Sequence, residues 1–174
     1  MDNNISEILF SEQQIQSHVK QMGIILTEEY KDKNPLLICP LKGSVLFFAD
    51  LIREIKIPCE IDFMAVSSYN NNTETSGEVK ILKDLSCDIK NRHVLIIEDI
   101  IDTGITLFHL IKLLGSRNPA SLKICTLLDK PSRRLADVKS DYNCFEIPDK
   151  FVVGYGMDLA ERYRNLPYIG IYTQ

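Results

Sequence analysis

Apolar positions fall in blocks whose period changes along the chain, and those periods predict the elements. Ser11-Glu12-Gln13-Gln14 has the form of a capping box. Ile15, Val19, Met22 and Leu26 then mark one face of a first helix, which ends near Lys31–Pro35. Leu36 to Leu41 reads as a short buried strand interrupted late by Pro40, Lys42-Gly43-Ser44 as a turn, and Val45 to Ile55 as a second amphipathic helix. Glu60 to Ser68 reads as a strand, with Glu78 to Lys83 pairing back onto it as a hairpin, and Asp84 to Arg92 is a polar connector. Val94-Leu95-Ile96-Ile97 is unbroken and β-branched, as expected of a strand buried on both faces of a parallel sheet. Leu107, Leu110, Ile111 and Leu114 recur at i, i+3, i+4 and i+7, the face of another helix. Leu122 to Asp129, Phe151 to Val153 and Tyr168 to Tyr172 supply further strands.

The bulk numbers narrow the class without choosing a function. A chain of 174 residues is one domain with room for a full core, and 45% hydrophobic with 25% charged residues is the balance of a soluble globular protein. No apolar run approaches the roughly 20 residues of a membrane helix. Met1 to Ser11 lacks both a basic region and an apolar core, so no signal peptide and no membrane partner are expected. Cys39, Cys59, Cys87, Cys125 and Cys144 are scattered, odd in number and without C-x-x-C spacing, which points to a reducing cytoplasm and away from structural zinc. A formal net charge of -4 argues against bulk nucleic-acid binding, so a polyanionic ligand would have to find its cations in a few placed residues.

Chemistry concentrates where the central apolar strand stops. Glu98-Asp99-Ile100-Ile101-Asp102-Thr103-Gly104 follows Val94–Ile97 and precedes a helix, so the stretch reads strand, acidic turn, glycine loop, helix start. A helix start offers unpaired N–H groups and the positive end of its dipole, and Thr103 and Thr106 add hydroxyl donors, which suits a phosphate. Three carboxylates beside a phosphate would repel it unless they face sugar hydroxyls and a divalent cation. The ligand inferred is a phosphorylated ribose with Mg²⁺. Acids ahead of a helix are often only caps, but neither a G-x-x-x-x-G-K-[ST] nor a G-x-G-x-x-G loop occurs as a rival. Lys42-Gly43 offers a second glycine turn with a cation, a weaker signal for an oxyanion site. Lys130 in Lys130-Pro-Ser-Arg-Arg134 reads unaided as a solvated basic turn, and Phe151 as core or as a stacking edge.

Val94 to Thr106 resembles the phosphoribosyl-diphosphate signature of the type I phosphoribosyltransferases, and closely that of the hypoxanthine-guanine branch. Leu41-Lys42-Gly43 matches the family's diphosphate loop, in which the peptide before the lysine is often cis. Ser68-Tyr69 matches the start of its closing lid, and Ile147-Pro-Asp-Lys-Phe-Val-Val-Gly-Tyr155 its purine hood. The resemblance covers most of Pro35 to Gln174, in the family's order. It departs at Ile105, where some members carry a lysine, which removes a possible phosphate cation.

The resemblance implies an α/β fold with a mainly parallel twisted sheet flanked by helices: a core over about 35–142, a flexible lid at 68–78, and a hood from about 143–174 with the N-terminal segment. It implies transfer of the phosphoribosyl group from 5-phosphoribosyl 1-diphosphate to hypoxanthine, and also guanine, giving IMP or GMP and diphosphate. By that likeness Asp102 relays a proton to the purine and Thr103, Gly104 and Thr106 cradle the 5′-phosphate. Glu98, Asp99 and Asp158 surround the magnesium, Glu98 and Asp99 also holding the ribose hydroxyls. Lys42, Gly43 and Arg164 take the diphosphate, and Ser68 and Tyr69 close over it. Lys130, Phe151, the Val152 backbone and Asp158 meet the base. Relatives of this kind are cytoplasmic homodimers or homotetramers. The competing readings are a transferase for adenine or xanthine and, from another class, an RNA-binding regulator of pyrimidine genes built on the same fold.

Overall fold

The computed structural model describes residues 4–68 and 79–173. Nine strands and three helices are described in the order β1 (Ile5–Phe10), α1 (Glu12–Glu29), β2 (Leu36–Leu41), α2 (Val45–Glu54), β3 (Glu60–Ser68), β4 (Val79–Lys83), β5 (His93–Ile101), α3 (Ile105–Gly115), β6 (Ser121–Asp129), β7 (Tyr142–Glu146), β8 (Val152–Val153) and β9 (Ile169–Tyr172). A six-stranded sheet has the order β4-β3-β2-β5-β6-β7, parallel except for the antiparallel β3–β4 hairpin. A small antiparallel sheet, β1-β9-β8, stands beside it. Tyr69 and the expected lid beyond Ser68 lie outside the described residues.

Side chains alternate across a strand, so an apolar run in the middle of a sheet feeds two cores at once. Leu37, Cys39, Leu95 and Ile97 pack on one face with Ile15, Val19 and Leu26 of α1 and Phe47, Phe48 and Leu51 of α2. Leu36, Ile38, Val94 and Ile96 pack on the other with Leu107, Leu110 and Leu114 of α3. The first core continues into the small sheet through Val152, Ile169 and Ile171, which fixes the hood to the body. Ser11 caps α1 as its spacing predicts: the Gln14 N–H donates to Ser11 Oγ at 3.4 Å, and the Ser11 N–H to Gln14 Oε1 at 2.9 Å.

Three expectations need correction. The central strand does not stop at Ile97 but runs to Ile101, because Glu98, Ile100 and Ile101 pair in register with β6, so Glu98 and Asp99 belong to a strand end and the turn is only Asp102-Thr103. Pro40 does not break β2, whose edges continue parallel to β3 through Leu41. The segment before Ser11, given no element from its pattern, forms β1 against β9, and β7 joins the main sheet as far as Glu146.

Asp62 on β3 ties the edge hairpin to the connector after it. Its carboxylate accepts N–H groups from Ser86 (2.6 Å) and Phe63 (2.7 Å) and pairs with Lys83 Nζ at 3.3 Å. Burial alone would raise this carboxyl, but those donors outweigh it and hold it below the usual range. A carboxyl depressed in the folded state stabilises above its unfolded value of about 3.9 and loses that contribution as pH falls through the folded value. Asp62→Asn is therefore expected to lower stability at pH 7 by about 1–3 kcal/mol, the cost of disturbed buried hydrogen bonds. In urea unfolding curves the difference from the parent should shrink as pH falls below the unfolded value of about 3.9 and through the lower folded one.

Candidate active site

The carboxyl ends of β2, β5 and β6 converge under the hood, the position at which open α/β sheets bind ligands. Each end delivers a different group. β2 ends in Leu41, joined to Lys42 by a cis peptide, as the sequence leads one to expect of this loop. Gly43 follows and is packed so closely that a Cβ there would lie 1.8 Å from Asp99 Oδ2. Gly156 of the hood, at φ +99°, approaches from the other side, and its own Cβ would lie 1.9 Å from the Gly43 carbonyl oxygen. At Gly156 only glycine fits, because the neighbour is backbone and φ is left-handed, whereas a side chain at Gly43 would first meet the Asp99 carboxylate.

β5 carries Glu98 and Asp99 on opposite faces, as strand alternation requires. They line separate pockets. One, of about 180 Å³, is walled by Asp99, Asp102, Lys130, Phe151, Val152 and Asp158 among others. The other, of about 140 Å³, is walled by Glu98, Asp102, Thr103, Gly104, Thr106 and Leu107 with their neighbours. Ile100 and Asp102 border both. Larger hollows lie elsewhere, one of about 770 Å³ against α2, away from the ends of β2 and β5.

In the smaller pocket Gly104 takes a left-handed φ of 77° and starts α3 without a side-chain cap of its own; the Ile105 N–H donates to Thr103 Oγ1 at 3.5 Å, and the N–H groups after it can meet an anion. The loop is braced from behind, where the Leu135 and Ala136 N–H groups donate to the Thr103 carbonyl (2.9 and 3.1 Å) and Arg134 Nη1 to the Asp102 carbonyl (3.1 Å). In the larger pocket Phe151, assigned unaided to core or to a stacking edge, is 51% exposed and presents its ring to the cavity. Lys130 is 4% exposed and lies 3.7 Å from Asp102 Oδ2.

Electrostatics divide the site. Burial first, and then the neighbouring Asp99 charge, push the Glu98 carboxyl well above the usual carboxylate range. Burial also raises Asp99, with Arg164 and the Ile100 N–H (2.8 Å) acting against the rise. Asp158, by contrast, is paired with Arg164 Nη2 at 2.8 Å, and Arg164 Nη1 donates to the Gly156 carbonyl at 2.7 Å. Among the described residues no three His, Cys, Asp or Glu side chains are placed to hold a metal ion, so Glu98, Asp99 and Asp158 do not form a cage. Ser68 ends β3, and the placement of its partner Tyr69 is not described.

Two neighbours of these residues went unnoticed in the sequence. Arg133 donates from Nε to Asp102 Oδ1 at 3.2 Å and reaches Asp149 of the hood at 3.7 Å, so Asp102 stands between two cations. Glu161 pairs with Lys42 at 3.2 Å and with Arg164 at 3.4 Å. Both sit in charged turns that read as surface, and nothing in their spacing marks them. Arg162, two residues before Arg164, is exposed.

The chain belongs to the phosphoribosyl transferase domain family, whose model matches residues 6–160. It is 57% identical over 171 residues to the hypoxanthine-guanine phosphoribosyltransferase of Bacillus subtilis, covering 98% of this chain and 95% of that one. The crystal structure of a hypoxanthine phosphoribosyltransferase from Staphylococcus aureus superposes with a TM-score of 0.95 at 51% identity, covering 98% of this chain and 93% of that one. A Bacillus anthracis hypoxanthine-guanine phosphoribosyltransferase structure does so with a TM-score of 0.92 at 47% identity, over 97% and 99%. The fold is that of the type I phosphoribosyltransferases. Among the described residues no helix is long and apolar enough to cross a membrane.

A carboxyl raised by folding destabilises the ligand-free protein once it ionises. Its share of stability is intact below the unfolded value of about 4.3 and is lost as pH rises through the folded value. Glu98→Gln is thus expected to melt higher than the parent at pH 7, by about 2–4 °C for each kcal/mol recovered, and at the same temperature below about pH 4. A scan of melting temperature against pH checks the sign.

Proposed function

We infer that the protein is a magnesium-dependent 6-oxopurine phosphoribosyltransferase. It moves the 5-phosphoribosyl group of 5-phosphoribosyl 1-diphosphate to hypoxanthine or guanine and yields IMP or GMP with diphosphate. The observation that carries this reading is the pair of pockets meeting at Asp102, one shaped for a phosphate and the other for a flat base. A nucleotide laid across them puts the bond that forms beside that carboxylate.

In this reading the α3 amides, Thr103, Gly104 and Thr106 hold the 5′-phosphate, and the left-handed Gly104 lets the backbone curl around it. Glu98 and Asp99 accept hydrogen bonds from the ribose hydroxyls. Phe151 stacks on the purine, the Val152 backbone reads its rim, and Lys130 donates to the 6-oxo group. A donor there disfavours an amino substituent, which separates this site from one for adenine. Lys42, the Gly43 amide and Arg164 take the diphosphate at the loop beneath the hood.

The donor set suits magnesium. It consists of carboxylate oxygens, and Asp99, raised by burial and further by the Asp158 charge, is one that a cation would relieve. Magnesium typically takes one or two such groups and completes its shell with substrate oxygens and water, so no protein cage is needed. Asp99 and Asp158 are the residues that would hold it, and when bound it neutralises charge on the leaving diphosphate.

In the transfer, a ring nitrogen of the purine bonds to C1 of the ribose while the C1–oxygen bond breaks and its electron pair leaves with the diphosphate. The proton of the imidazole ring passes to Asp102. Lys130 and Arg133 hold that carboxylate at the border of the two pockets. Asp102→Asn is expected to lower kcat by about 10²–10⁴-fold, the usual contribution of a placed acid–base group, with IMP binding retained. A steady-state assay with hypoxanthine, guanine, xanthine and adenine, with and without magnesium, tests the whole reading. Turnover should be fastest with hypoxanthine and guanine and should require the metal. Preference for adenine would overturn it.

A further inference from the structure

The cations assigned to the diphosphate are not free in the unliganded protein. Lys42 Nζ lies 3.2 Å from Glu161 Oε1, and Arg164 Nη2 lies 3.4 Å from Glu161 Oε2, so one carboxylate spans the two cations. The segment that presents it is strained. Leu159 and Arg162 pair across a tight turn whose central residues, Ala160 and Glu161, have φ of 50° and 64°. That is the conformation of a type I′ turn, which asparagine and glycine adopt most readily. Here alanine and glutamate adopt it, and the Glu161 N–H donates to Asp158 Oδ2 at 2.8 Å, which holds the turn against the rest of the site. Strain of this kind at a site points to a function.

We propose that Glu161 is a positioning residue that stands in for the diphosphate, occupying Lys42 and Arg164 when the site is empty and yielding them when the ligand arrives. The inference rests on the reading of the preceding subsection. Anions of the same sign compete for one pair of cations, so the incoming diphosphate must displace the carboxylate, and the carboxylate returns as product leaves. The residue thereby weakens diphosphate binding and hastens its departure. A brace that merely ordered Lys42 and Arg164 would do the reverse and strengthen binding. The sign of one measurement therefore separates the two roles.

The test is titration calorimetry of inorganic diphosphate with magnesium into the full-length parent, Glu161→Gln and Glu161→Asp, with IMP as a second ligand. The side chains of Lys42 and Glu161 are 67% and 64% exposed, and exposed ion pairs shift equilibria only modestly, so Glu161→Gln is expected to bind diphosphate about two- to fivefold tighter. The gain should shrink as salt is raised, IMP affinity should stay unchanged, and Glu161→Asp, which keeps the charge, should bind like the parent. Equal or weaker binding by Glu161→Gln, while the parent still binds diphosphate, overturns the stand-in alone. No diphosphate binding by the parent overturns the function proposed above as well.

Discussion

The site depends on a backbone contact that admits no side chain. Gly43, at the end of β2, lies against the Asp99 carboxylate of β5 on one side and against Gly156 of the hood on the other. Three segments far apart in sequence thus meet with nothing between them. That approach sets the depth of the cleft and puts the Gly43 amide, the Asp99 oxygens and the Arg164 guanidinium around one volume. The two cores supply the rigidity that the contact needs, because β2 and β5 are buried on both faces and α2 follows directly from the loop. A side chain at Gly156 would have to push the hood away from the Gly43 backbone, which a well-packed interior resists, and one at Gly43 would displace the Asp99 carboxylate.

The same packing explains where the charges are. Burial raises the carboxyls of Glu98 and Asp99, each on its own face of β5, and disfavours their ionised forms. Asp102, one turn further on and half exposed, is instead flanked by Lys130 and Arg133. Acids in one short stretch therefore have different surroundings: two are raised by burial, and the third is flanked by cations. The difference comes from the strand end, where a residue more or less along β5 decides which face a side chain meets.

Much of this was legible in the sequence. The period of Leu36–Leu41 and Val94–Ile97 gave the buried strands, the capping box gave the start of α1, and Glu98 to Thr106 gave the chemistry of the loop. Errors fell where tertiary pairing overrides local signals. The acidic residues look like a turn because charge disfavours a buried strand, yet their backbone groups are claimed by β6. β1 carries the polar Ser6 and Glu7 and forms a strand only because β9 offers an edge. Arg133 and Glu161 could not be picked out, since exposed charged residues in turns look alike until their partners are known.

A chain with a net charge of -4 can nonetheless hold a polyanion if its cations are already ordered and cheaply released. At the mouth of the cleft the charges alternate as Lys42, Glu161, Arg164 and Asp158. Each cation has an acidic partner in the empty site, so none repels its neighbour, and the lysine and the arginine stay pointed at the place where an anion would sit. Exposed pairs of this sort are worth little individually, which is what allows a ligand to replace them. Binding then exchanges partners rather than assembling a positive patch, and it requires no basic surface that would also attract nucleic acid.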